Sequence, residues 1–165
     1  MKKNCLILTA VVFLVICING IQAQTTKSTL NQVELMKQFI GTWNGVIGKD
    51  TVEVWETKPY GEALIINVSR IIKGTKSDWS MNNIGFDERE GKYKGYILSI
   101  NGGYDTWIGW FTADKKFHVD LVDTFDPEKL WFTVEFEFKS PANFISTGFN
   151  TDGVKTSEFQ YKRIK

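Results

Sequence analysis

The sequence predicts an all-β protein in which about ten antiparallel strands close into an up-and-down barrel behind one short helix. Three observations carry this expectation. From Thr42 to Arg163 the apolar residues recur with a period of two, as a pleated strand requires and a helix does not. Clusters of Gly, Pro, Asn and Asp interrupt that pattern at short intervals. None of the interruptions is long enough for the crossover that parallel pairing needs, so consecutive antiparallel hairpins remain.

The N-terminus reads as a targeting segment. Lys2 and Lys3 precede an apolar run over residues 6–18, and Ile21-Gln22-Ala23 offers a small residue where a signal peptidase needs one. The run is shorter than the roughly 20 residues of a bilayer-spanning helix, so no membrane span is expected. Leu14-Val15-Ile16-Cys17 is like a lipoprotein box, but bulky Ile16 sits where that box needs a small residue. The expectation is therefore a signal peptide over 1–23, a barrel domain over 24–165, and a periplasmic or secreted product.

Both cysteines of the 165-residue chain, Cys5 and Cys17, lie in the leader. The exported domain is then expected to fold without a disulfide or a thiolate metal site. The full chain carries 20 Lys and Arg against 19 Asp and Glu, and loss of Lys2 and Lys3 brings the formal charge to −1. So even a balance has no electrostatic footprint for nucleic acid.

Residues 24–27 form a polar lead. Ser28 or Thr29 can cap a helix over 30–39, on which Leu30, Val33, Met36 or Lys37, and Ile40 share a stripe. Gly41 ends it. Strands follow at 42–47, 51–58, 62–72, 77–87, 92–100, 104–112, 116–124, 129–139, 143–150 and 154–163. Between them lie turn sequences such as Pro59-Tyr60-Gly61, Asn101-Gly102-Gly103, Asp126-Pro127-Glu128 and Asp152-Gly153. Leu130, Phe132, Val134, Phe136 and Phe138 occupy one face of a strand whose other face is Thr133, Glu135, Glu137 and Lys139. Burying those five apolar side chains is worth about 10 kcal/mol, which a flat sheet exposed to water forgoes. Curling the meander shut captures it and removes the unpaired edges. A two-sheet sandwich is the other architecture the pattern allows.

Phe39-Ile40-Gly41-Thr42-Trp43-Asn44-Gly45, a short helix before it and a meander after it resemble the calycin superfamily of lipocalins and fatty-acid-binding proteins. With Gly85-Phe86-Asp87-Glu88-Arg89-Glu90-Gly91-Lys92-Tyr93, the chain is most similar to small bacterial lipocalin-like domains of unknown function, the DUF1579 type. The resemblance implies that Trp43 plugs the closed end of the barrel and that Arg163 stacks on it, with Gly41 completing the floor. The second lipocalin motif, Thr-Asp-Tyr, is absent, and Thr112-Ala113-Asp114 is only a partial echo of it.

Candidate ligand-binding residues are aromatic side chains on central strands mixed with a few polar ones: Asn67, Ser69, Trp79, Tyr93, Trp110, Phe132 and Phe136. An aromatic cavity with sparse polar anchors suits a small hydrophobic or amphipathic molecule, whereas the same side chains packed solid would leave no cavity. His118, the only histidine, shares a strand face with Asp120, a pairing that can make a general base. The more apolar Phe117, Val119 and Leu121 should take the interior and leave His118 outside. Related nitrobindin-like haem barrels carry a histidine near the last strand, where this chain has Thr156-Ser157-Glu158-Phe159-Gln160-Tyr161, so no haem or other cofactor is expected. No phosphate loop, metal-ligand spacing or nucleophile elbow is present. The leading expectation is a ligand-binding barrel. A protein- or glycan-docking module using an outward Trp107 or Trp131 is the alternative, and an enzyme is a third reading.

Overall fold

The computed structural model describes residues 30–165. The expected signal peptide, the polar lead and the capping residues Ser28 and Thr29 lie outside the described residues. One helix, α1 (Gln32–Met36), runs into a 3-10 turn (Lys37–Phe39). Ten strands follow: β1 (Gly41–Gly48), β2 (Thr51–Tyr60), β3 (Ala63–Ile72), β4 (Thr75–Asp87), β5 (Lys92–Ser99), β6 (Tyr104–Ala113), β7 (Lys116–Val122), β8 (Leu130–Ser140), β9 (Asn143–Phe149) and β10 (Lys155–Arg163).

Each strand pairs antiparallel with its sequence neighbours, and β1 pairs with β10, so the sheet closes on itself. Trp43 sits opposite Arg163 and Gly45 opposite Tyr161 in that closing pair. A continuous ring of pairs decides for the barrel over the sandwich, since closure leaves no unpaired strand edge.

Three local expectations need correction. The helix is capped by Asn31, whose side chain accepts from the Glu34 N–H at 3.2 Å. Its buried face is Gln32, Met36 and Phe39, while Val33 and Leu35 are only half-buried. Polar Gln32 is inside because its amide completes the backbone of β6: Nε2 donates to Phe111 O at 3.0 Å, and Phe111 N–H donates to Oε1 at 2.7 Å. A buried amide satisfied on both sides costs little. Pro59 lies within β2, opposite Leu64, and the turn falls at Gly61-Glu62. Finally, β7 stops at Val122, because the chain turns through left-handed Thr124 (φ 51) and Phe125 (φ 60). The Phe125 N–H donates to Thr106 Oγ1 at 3.0 Å, and that hydroxyl donates to Val122 O at 2.6 Å, which holds the turn.

The helix closes one end of the barrel. Phe39 projects into it with ring centroids 4.8 Å from Phe138, 5.5 Å from Phe136 and 5.6 Å from Phe117. Trp43 is fully buried, 4.8 Å from Phe144, and its indole N–H donates to Phe39 O at 2.8 Å. Arg163 lies over the Trp43 ring at 4.4 Å and donates to Gln38 O at 2.7 Å, tying the last strand to the helix turn. Gly41 opens β1 at φ +125, and a side chain there would come within 2.6 Å of Lys165 O. The closed end is therefore solid, with edge-to-face ring contacts worth about 1 kcal/mol each beyond their burial.

Candidate functional site

Beyond that floor the same strands surround a cavity of about 490 Å³ that opens at the far end, within the roughly 300–1,000 Å³ typical of small-molecule sites. Its deep wall is apolar: Met36, Phe39, Trp55, Ile66, Ile84, Phe117, Val119, Val134 and Phe136. Nearer the mouth stand Arg70, Trp79, Ser99, Asp105, Phe132 and Ser157.

Two glycines make room for rings in the wall. A Cβ on Gly95 would sit 1.8 Å from the Trp107 ring, its cross-strand neighbour, and one on Gly45 would sit 2.5 Å from the Tyr161 ring. Glycine on a strand interior here marks a close approach, and each lets a large ring lie flat along the wall.

A charged network is built into one side of the cavity. Glu53 and Arg70 are direct cross-strand partners on β2 and β3, and both side chains face inward. Arg70 Nε and Nη2 each donate to Glu53 Oε2 at 3.1 Å. The other oxygen, Oε1, accepts from Trp55 Nε1 and from the Tyr161 hydroxyl, both at 2.8 Å. Four donors thus saturate one carboxylate, as a charge removed from bulk water requires. Burial first, and Glu53 second, push the Tyr161 phenol well above its ordinary range, so it stays neutral and donates. The Arg70 guanidinium stacks on Trp79 at 3.7 Å. Trp79 reaches that place through a bulge: Val68 pairs with Ser80 and Ser69 with Asp78, leaving Trp79 as the extra residue. Bulges re-aim side chains in this way at barrel rims.

The seven candidate ligand residues separate into three groups. Trp79, Phe132 and Phe136 line the cavity. Tyr93 is buried at the closed end, where its hydroxyl donates to Gln32 O at 3.1 Å, and it does not reach the cavity. Asn67, Ser69 and Trp110 belong to the outer wall. On β3 the inward side chains are Ile66, Val68 and Arg70, so Asn67 and Ser69 alternate outward into a shallow depression of about 550 Å³. Lys76, Asp78 and Glu56 share that depression. Met81, Leu98 and Ile100 complete its mixed lining, which has no aromatic ring, whereas the interior is lined by aromatic side chains.

Trp107 and Trp110 exchange the faces expected of them. Trp107 is 3% exposed and inside, its indole N–H donating to Asn82 Oδ1 at 3.2 Å, so it presents nothing to a docking partner. The space above Gly95 admits it. Trp131 does face out, 48% exposed.

Trp110 packs outside against His118, with ring centroids 4.5 Å apart and planes tilted by 44°, under the Lys92 ammonium at 4.4 Å. His118 Nδ1 lies 2.5 Å from Glu135 Oε1, and Nε2 lies 2.8 Å from Asp120 Oδ1. Asp120 also accepts from the Thr133 hydroxyl at 3.1 Å. Both ring nitrogens are thus engaged by carboxylates on the outer wall, away from the cavity, and His118 links Trp110 of β6 to Glu135 of β8 across β7. Among the described residues no group of three or more His, Cys, Asp and Glu is placed to hold a metal ion, and no helix is long and apolar enough to cross a membrane. No protein-family model matches the chain, and no curated protein matches it.

Sequence reasoning missed Glu53, Arg70, Trp55, Asp105 and Tyr161. The signal was present for one pair: Glu53 and Arg70 have the parity of the apolar Trp55 and Val68 on their own strands.

Proposed function

We propose that this chain is an exported, calycin-type barrel that binds a small apolar or amphipathic molecule inside its open half. The observation that carries the reading is the cavity of about 490 Å³ with an aromatic floor and a few polar groups at its mouth. Buried apolar area supplies affinity, about 25 cal/mol per Å² removed from water, and the sparse polar groups orient the guest. The short helix, the Gly-x-Trp opening and the Trp43–Arg163 stack support the calycin assignment. The apolar run over residues 6–18 supports export.

A neutral, apolar, environment-sensitive fluorophore, N-phenyl-1-naphthylamine, tests the reading. It should bind with one-to-one stoichiometry. Leu121→Trp, which fills the cavity from β7, should abolish that binding, while Trp110→Ala on the outer wall should leave it intact. Binding that survives Leu121→Trp and vanishes with Trp110→Ala would place the site outside the barrel. Native mass spectrometry of protein from its own host would then give the mass of the natural guest.

A further inference from the structure

Three ionisable side chains line the cavity whose charge bears on a guest: Glu53, Arg70 and Asp105. The first two answer each other. Glu53 is saturated by four donors, and Arg70 gives it two N–H groups and rests its face on Trp79. Asp105 differs. It stands one residue inside the start of β6, opposite Ile97, and shares its inward face with Trp107. It has no hydrogen-bond or ion-pair partner among the described residues. The cavity wall therefore holds one unanswered negative charge, at the mouth, above a floor of aromatic rings.

We propose that the guest is an amphiphile with a protonated amine as its head group, held by Asp105 at the mouth while its apolar tail lies on the Phe117–Phe136 floor. This rests on the reading of the interior as a ligand cavity. A carboxylate amphiphile meets the opposite field. Arg70, the one cation lining the cavity among the described residues, is already neutralised by Glu53, so a second carboxylate on that guanidinium would meet both Glu53 and Asp105. Like charges in a space with limited water repel more strongly than they do in bulk. A neutral alcohol of the same chain length gains the tail contacts without the charge pair and falls between the two.

The test is titration of the purified full chain with n-octylamine, n-octanol and n-octanoate at one ionic strength. Quenching of the cavity tryptophans Trp55, Trp79 and Trp107 reports binding. Octylamine should bind roughly fivefold more tightly than octanoate, the equivalent of an ion pair of about 1 kcal/mol. Asp105→Asn should remove most of that preference and leave octanol affinity unchanged, and Asp105→Glu should keep the preference. An unchanged melting temperature of the isosteric Asp105→Asn protein certifies that the fold is retained. If octanoate binds as well as octylamine, or if Asp105→Asn leaves the amine preference intact, the head-group assignment falls and the cavity reading stands. If none of the three binds the folded protein, both fall.

Discussion

The two halves of this barrel use the same ten strands for different ends. At the closed half, Phe39, Trp43, Phe138 and Phe144 interlock between helix and wall, and the Trp43 and Arg163 side chains donate to the backbone of the helix turn. At the open half the strands surround empty space, where Glu53, Arg70 and Tyr161 bind one another and the Asp105 carboxylate has no partner among the described residues. A barrel without disulfides has to concentrate its stability somewhere. Concentrating it at one end leaves the other free to enclose empty space, which a close-packed core cannot hold.

The division can be broken at its strongest point first. Trp43→Ala removes a fully buried ring of the floor and should cost about 3–5 kcal/mol, read as a lower urea midpoint. Affinity for the apolar fluorophore, measured on the folded fraction, should hardly move. A stable Trp43→Ala protein that has lost binding would show that the halves are not separate.

Gly95→Ala probes the wall where the halves meet. The new methyl would sit 1.8 Å from the Trp107 ring, and an overpacked site of this kind costs about 1–3 kcal/mol. Because Trp107 lines the cavity, binding should weaken as well. Gly85→Ala on β4, with open space around the added methyl, should stay within about 0.5 kcal/mol of the parent and serves as the control. Equal melting temperatures for the two variants would mean that Trp107 does not need the gap.

The smallest effect is at the seam itself. Tyr161 stacks on Phe144 of the closed half, 4.7 Å between centroids, and donates to Glu53 of the open half. Tyr161→Phe should cost about 1 kcal/mol at neutral pH for the lost hydrogen bond. Its phenol pKa is raised in the folded protein, so the folded state favours the neutral, protonated form. That contribution is fully present below the ordinary tyrosine value of about 10 and is lost as pH rises beyond it. Chemical denaturation from neutral to alkaline pH should therefore fall less steeply in Tyr161→Phe than in the parent. A parallel fall would remove Tyr161 from the alkaline limb and leave it to Tyr93, whose phenol burial also raises.

Local chemistry made much of this protein legible. The strand pattern is a property of neighbouring residues, so all ten strands and the helix could be placed within a few residues of their observed ends. His118 could be placed outside because Phe117, Val119 and Leu121 outbid it for the interior. Phe132 and Phe136 could be placed inside for the same reason, since β8 alternates without ambiguity.

What the sequence determined alone, then, was the antiparallel meander and its helix stop at Phe39 and Gly41. The tertiary structure decided the cavity. Strand β6 is apolar on both faces, so only the space left by Gly95 across the sheet tells Trp107 to enter and Trp110 to leave. On β2 and β3 the parity of Trp55 and Val68 already turns Glu53 and Arg70 inward, but only the register sets the two opposite each other as a pair. Trp79 enters because the β3–β4 register slips by one residue. Each of these depends on which residue lies across the sheet, a relation between distant parts of the chain that no local pattern encodes.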